Sequence, residues 1–245
     1  MEVNIFGAVG YKNIVKSSSS QDFFLYKKYK NYAVCTVADG HSMDVFKYSH
    51  IGSYLACQSV FEILKTYKLN EDIEKGEQNF ICDLKNKKVQ NDIKNKWRDL
   101  VYREFYKRNY KVYKLDYMLF GTTLSFVIFL KEYIVFFNLG DSSILIKEDK
   151  DYVNVFKNNN FKFVNSLALY NCEEKMQYSI LKMNKDFKLV ISTDGFINSF
   201  ETYHKLKSEL DRTFQILEKD IFSNRYLRNI YKKHLSNISK YGSKD

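Results

Sequence analysis

A chain of 245 residues is long enough to bury a substantial core as one large domain or two small ones. It contains no proline, is 17% aromatic and carries a formal charge of +10. The missing proline argues against a jointed, linker-rich chain, and the aromatic content favours sheet. Cys35, Cys57, Cys82 and Cys172 have no paired metal-ligand spacing, so four reduced thiols in a cytoplasmic protein are expected. The opening MEVNIFGAVGY has neither a basic region nor a long apolar one, so secretion is not expected. Lys, Asn or Asp interrupts every apolar run too early for a membrane span.

In chain order, residues 3–9, 22–28 and 31–38 read as strands, with the polar loop KSSSSQ at 16–21. A helix follows residue 41, its stripe formed by Val45, Tyr48, Ile51, Leu55, Ser59 and Val60. Gly52 and Ala56 suit close packing, and Asp44 is the expected N-cap. A second helix is expected over 84–108, with Ile93, Trp97, Leu100, Val101 and Phe105 facing the core. Strands are expected at 122–130, 133–139, 142–148, 151–157, 176–182 and 187–192. Apolarity on both faces of 122–130 implies burial on both sides. The tail returns to helical spacing through Leu206, Leu210, Phe214 and Leu217, then Leu227, Ile230, Tyr231, Leu235 and Ile238. Strands grouped between helical runs, without βαβ alternation, give an α+β class with antiparallel sheets and helices outside them.

Lys and Arg accumulate between Lys85 and Lys114. Such a run can attract an acidic protein, a phosphoprotein, nucleic acid or an anionic membrane; the simpler reading is a solvated helix face. It carries no acid–base cluster for a nuclease, no zinc-finger spacing and no Gly-rich nucleotide loop, so DNA is not an expected partner.

Three apolar runs end at a carboxylate beside glycine: VCTVAD at 34–39, IVFFNLGD at 134–141 and LVISTD at 189–194. Asp at a strand end, with glycine allowing close backbone approach, can present oxygen ligands to hard divalent ions. Repeated on three distant strands, the pattern points to a metal-dependent phosphoester hydrolase.

These residues resemble the metal-dependent serine/threonine protein phosphatases of type 2C. The resemblance rests on VADGHS at 37–42, FGTTLSFVIFL at 120–130, FFNLGDSSILI at 136–146 and LVISTDGFINSF at 189–200, in the family's order and spacing. SQDFF at 20–24 and SHIGSYLA at 49–56 resemble a bacterial subgroup with a QD pair near the N-terminus. The resemblance implies an α-β-β-α four-layer sandwich formed by a single domain over 1–245. It further implies hydrolysis of phosphoserine and phosphothreonine monoesters in proteins by a water activated between two Mn²⁺ or Mg²⁺ ions.

Asp39 would bridge the ions, Gly40 would lend its carbonyl and Asp194 would bind the first ion. Asp245 would supply the last carboxylate and His41 would protonate the leaving alkoxide. Asp141 and Asp194 would hold a labile third ion, weakly, because Asn198 stands where the family has Asp. Gln21 replaces the family's Glu, so the second ion gains an amide oxygen at most, with Asp22 anchoring behind it. Ser17 falls where a phosphate-gripping Arg is usual, and Lys16 could serve as a point charge.

If the natural chain ends at Asp245, the strand expected after it is absent and leaves a sheet edge for a partner to cover; a longer natural chain would supply that strand. The implied partners are a phosphoprotein substrate and components of a protein-kinase pathway. The alternative, motivated by Ser17, Gln21 and Asn198, is a weak or inactive phosphatase-like domain that binds a phosphoprotein or a regulatory partner.

Overall fold

The computed structural model describes residues 20–107, 114–156, 164–183, 188–218 and 224–242. The expected strand at 3–9, Lys16 and Ser17, and Asp245 lie outside them. The chain opens with the hairpin β1 (Phe23–Lys28) and β2 (Ala33–Ala38), then three helices, α1 (Ser49–Thr66), α2 (Ile73–Lys85) and α3 (Lys88–Lys107). A 3₁₀ turn over Tyr117–Phe120 leads into β3 (Leu124–Phe129), β4 (Tyr133–Leu139), β5 (Ser143–Glu148) and β6 (Asp151–Asn154). The short α4 (Cys172–Lys175) precedes β7 (Gln177–Lys182) and β8 (Leu189–Ser192); α5 (Asp194–Asn198), α6 (Tyr203–Glu218) and α7 (Asn224–Gly242) follow.

Two antiparallel sheets result, one ordered β1-β2-β3-β4-β7 and the other β6-β5-β8. Period-2 alternation shows how they stack. On β3 and β4, Leu124, Phe126, Ile128, Val135, Phe137 and Leu139 face the helices α1–α3. Their alternates Val127, Ile134 and Phe136 meet Ile144 of β5 between the sheets. One residue further along β5, Leu145 faces outward to Leu206 and Leu210 of α6. Helices therefore cover both outer faces, as the α+β reading of the sequence expected. Burial on both sides of β3 explains its near-continuous apolar sequence.

The helical layer is anchored by Trp97, fully buried, whose indole N–H donates to the Gly52 carbonyl at 3.0 Å. Gly52 is there because the 3₁₀ turn presses against α1: an added Cβ would lie 1.9 Å from the Phe120 carbonyl oxygen. Glu77 of α2 ties this layer to the β3–β4 turn, its carboxylate accepting from the Glu132 and Tyr133 amides, both at 3.1 Å. On the opposite layer, Asp211 of α6 pairs with Lys147 of β5 at 2.6 Å and accepts from the Tyr152 hydroxyl of β6 at 3.0 Å.

Several expectations need correction. Asp44 is not an N-cap: it lies in a turn region, α1 starts at Ser49, and Tyr48 precedes it with no side-chain cap. Val45 accordingly lies outside the helix and is exposed. The helix expected over 84–108 is two helices, broken where Lys87 turns to φ 60°. A further helix, Ile73–Lys85, lies outside the sequence-based expectations; Asp72 caps it by accepting from the Lys75 amide at 3.1 Å. In α3, Ile93, Trp97, Val101 and Phe105 are buried as expected, while Leu100 packs only partly. The basic face is partly paired, with Lys88 to Asp83, Lys94 to Glu173 and Arg103 to Asp99. On α7, Tyr231 is buried but Ile230 is exposed.

The close approach at Gly52 sets a sharp expectation. Gly52→Ala should cost about 3 kcal/mol or prevent folding, because Phe120 backbone cannot yield cheaply. Gly195, with nothing within 4 Å of an added Cβ, should accept Ala within about 0.5 kcal/mol. Urea unfolding of both variants checks the contrast.

Candidate metal centre and active site

The antiparallel register creates the first contact of the site. Phe23 lies opposite Ala38, so Asp22, just before β1, comes beside Asp39, just after β2. The Asp22 and Asp39 carboxyls come within hydrogen-bonding reach of each other, Asp39 being the one that retains a proton, and Asp194 also lies beside Asp39. Asp194 arrives from the smaller sheet: it opens α5 immediately after β8, whose Ser192 pairs with Ser143. Asp141 lies where the chain crosses from β4 in one sheet to β5 in the other, after Gly140 at φ 120°. Four carboxylates from distant parts of the sequence thus gather at one end of the two sheets.

Their ionisation shows the strain of that arrangement. Burial, followed by the charge of Asp22 and its hydrogen bond, holds the Asp39 carboxyl far above the usual carboxylate range. Asp141 is pushed up to about 6, first by burial and then by Asp194. Asp22 is also raised, first by burial, against the lowering effect of its bond from Asp39. One side of Asp22 remains open to solvent, so water screens part of that cost. Neutral donors relieve some of the charge: the Thr193 hydroxyl donates to Asp22 Oδ2 at 3.3 Å, and Asn198 Nδ2 donates to Asp194 Oδ2 at 3.0 Å.

Gly40 is locked between backbones, where a Cβ would lie 2.6 Å from the Gln21 carbonyl oxygen and 2.9 Å from that of Ser49. Gln21 is fastened through this carbonyl, which accepts from the Ser53 hydroxyl at 2.6 Å. The His41 ring packs on Phe46 with centroids 4.7 Å apart, and its backbone N–H donates to the Gly121 carbonyl at 3.2 Å. Its imidazole makes no hydrogen bond with the described residues, and burial lowers its pKa.

All four carboxylates supply hard oxygen donors, which suit Mg²⁺ or Mn²⁺. A buried Oδ1 of Asp141 has no hydrogen-bond partner, leaving an acceptor that a cation would satisfy. Among the described residues no three acidic, His or Cys side chains already surround one point as a finished cage. Asp22 and Asp194 instead each approach Asp39. The donor set fits divalent cations in chemistry.

The structure brings together Gln21, Asp22, Asp39, Gly40, His41, Asp141, Asp194 and Asn198 from the sequence-based candidates; Lys16, Ser17 and Asp245 lie outside the described residues. Three supporting residues escaped the sequence reading: Thr193, which donates to Asp22, and Thr122 and Thr123, which grip the Asp39 backbone. Their signal was present in FGTTLS and LVISTD, beside the carboxylates.

Comparison with known proteins agrees with this geometry. The family model for protein phosphatase 2C matches residues 9–236. The chain belongs to the protein phosphatase 2C family. That membership makes its class metal-dependent protein serine/threonine phosphatase. In sequence, no curated protein matches it.

Among solved structures, a serine/threonine phosphatase of S. agalactiae superposes with a TM-score of 0.61 at 16% identity, covering 99% of this chain and 95% of the other. PppA, described as a regulatory component of the type VI secretion system in Pseudomonas aeruginosa, gives 0.54 at 14% identity, with 99% and 91% covered. The catalytic domain of PstP, solved with two manganese ions, gives 0.52 at 11% identity, with 93% and 88% covered. At these identities the likeness shows the shared fold. Among the described residues, no helix is long and apolar enough to cross a membrane.

The raised carboxyl pKa values fix the sign of a pH effect. A carboxyl that holds its proton more tightly when folded stabilises the fold below its unfolded pKa near ~4 and loses that stabilisation as pH rises through its folded pKa. For Asp141 that window ends at about 6; for Asp39 it extends higher. At pH ~8 in EDTA, Asp39→Asn should therefore raise the melting temperature, because burial and the repulsion of neighbouring carboxylates force Asp39 to take up a proton on folding, whereas the amide is already neutral. The same substitution should abolish the rise that Mn²⁺ gives the unsubstituted protein. A melting temperature lowered by Asp39→Asn under these conditions would contradict the assigned repulsion.

Proposed function

We propose that this protein hydrolyses phosphoserine and phosphothreonine monoesters in proteins, using two divalent cations, Mn²⁺ or Mg²⁺, at the carboxylate cluster. The observation that supports this most is the meeting of Asp22, Asp39 and Asp194 carboxyls, with an orphaned Asp141 oxygen, in a chain of the protein phosphatase 2C family. Asp39 would hold both cations, and Asp194 and the Gly40 carbonyl would be further ligands. Asp245 completes the set through the family resemblance. When bound, the cations supply an activated water and offset charge on the phosphoryl oxygens.

The protein's own groups do the rest. Asp22 orients Asp39 and accepts its proton in the metal-free state. Asn198 donates an N–H to Asp194 where a further carboxylate would be needed, which disfavours a third ion. Gln21 offers no charge, so the second ion binds less tightly. Lys16 is the candidate for holding substrate phosphate, beside Ser17. Phosphoproteins of a kinase pathway are the substrates this chemistry serves, in the cytoplasm.

Removing an anionic ligand should be severe: Asp39→Asn and Asp194→Asn should each reduce Mn²⁺-dependent phosphothreonine-peptide hydrolysis at least ~100-fold. Full activity in excess EDTA would refute the mechanism. A protein that binds the phosphopeptide yet never hydrolyses it, with either metal, would identify the alternative of a phosphoprotein-binding domain.

His41, half-buried beside Asp39-Gly40, is the proposed donor to the leaving alkoxide. His41→Ala should cut phosphoserine hydrolysis by roughly 10²–10⁴-fold and p-nitrophenyl phosphate hydrolysis far less, since that leaving group departs without a proton. Its lowered pKa adds a second signature. In the unsubstituted enzyme, the ratio of phosphoserine to p-nitrophenyl phosphate turnover should fall as pH rises through a value below the ordinary ~6.5. Equal losses on both substrates and a flat ratio would remove His41 from proton transfer.

A further inference from the structure

The two loops that carry Asp39 and Asp141 touch the same buried side chain. Thr123, 1% exposed, immediately precedes β3. Its hydroxyl accepts from the Asp39 backbone N–H at 2.9 Å, and its own backbone N–H donates to the Asp39 carbonyl at 2.9 Å. The Thr122 hydroxyl donates to that same carbonyl at 2.9 Å. Both backbone polar groups of Asp39 are thus held by one residue, with its neighbour reinforcing the carbonyl.

The other branch of Thr123 faces Gly140. A Cβ on Gly140 would lie 2.5 Å from the Thr123 methyl carbon and 2.6 Å from its Cβ. The turn that presents Asp141 therefore sits directly on this side chain. Asn138 holds the turn from the strand side, its Nδ2 donating to the Gly140 carbonyl at 3.2 Å.

We infer that Thr123 is a positioning residue that sets the Asp39 and Asp141 loops relative to each other, through its hydroxyl on one and its methyl on the other. This rests on the reading that these carboxylates hold cations. A β-branched residue with one polar and one apolar arm is required: serine supplies only the hydroxyl, valine only the apolar branch. Losing the hydroxyl strands the buried Asp39 N–H and frees the strand end. Fixing a ligand before the ion arrives lowers the ordering cost of binding.

The test is calorimetric titration of the full chain with Mn²⁺, alongside hydrogen exchange at the Asp39 amide. Thr123→Val should weaken Mn²⁺ binding roughly 10-fold or more and speed exchange at Asp39. Thr123→Ser keeps the hydroxyl and should protect the amide as the unsubstituted protein does, with a smaller loss of affinity. If Thr123→Val does not fold, Thr123→Ala against Thr123→Ser reads the same hydroxyl without the methyl. Unchanged Mn²⁺ affinity on loss of the hydroxyl overturns the inference while leaving the metal site standing, as does an equal loss in the serine variant. No Mn²⁺ binding by the unsubstituted protein would instead overturn the metal reading, and the inference with it.

Discussion

Like charges forced together at the mouth of two sheets are the constraint from which the rest of this structure follows. Carboxylates in water repel weakly, but near a protein interior each loses solvent and meets the others at short range. Asp22 and Asp39 have no freedom to separate, because the β1–β2 register that buries Val34 and Ala38 also fixes their alignment. Asp194 and Asp141 are brought in by the second sheet and by the crossing into it. Without a cation, the repulsion is relieved by protons, by Thr193 and by Asn198. A fold that keeps such an arrangement gives up stability in the free state and gains a strong preference for positive charge.

That balance gives the scaffold its logic. The helical layer around Trp97 and the buried β3–β4 pair supply rigidity, whereas the carboxylates occupy chain ends and connections just beyond the strands. Rigid strands thus carry the loops to which chemistry is assigned. Backbone bonds from Thr122 and Thr123 to Asp39 continue that rigidity past the end of β2. The second sheet is smaller among the described residues, and α6 is fastened to it by Asp211 as well as by Leu206 and Leu210.

Much of this was legible in the sequence because two periodicities and one chemical pattern agreed. The 122–130 run reads as buried on both faces and is so, since β3 lies between helices and a second sheet. The acid-glycine strand ends single out Asp39, Asp141 and Asp194, carboxylates that the fold brings to one end of the two sheets. Less was legible where local signals are weak. The helix Ile73–Lys85 opens on a polar stretch, Glu74 to Asn79, and gathers Phe80, Ile81 and Leu84 near its end, with the Asp72 cap and contacts with α3 holding it. The break at Lys87 uses a left-handed conformation in a residue that does not advertise one. Asp44 has the chemistry of a cap, but the chain turns through Phe46 and Tyr48 first, and tertiary contact with Leu119 decides where α1 begins. The pairing of Asp22 with Asp39 required the strand register, which no single segment encodes.

Anomalous diffraction at the manganese edge from Mn²⁺-soaked crystals tests the central claim most directly. The account predicts two peaks at the carboxylate cluster, both within coordination distance of Asp39 and one also of Asp194, with the Asp22–Asp39 shared proton displaced. Peaks elsewhere on the protein, or none, with the carboxyls still paired through protons, would contradict it.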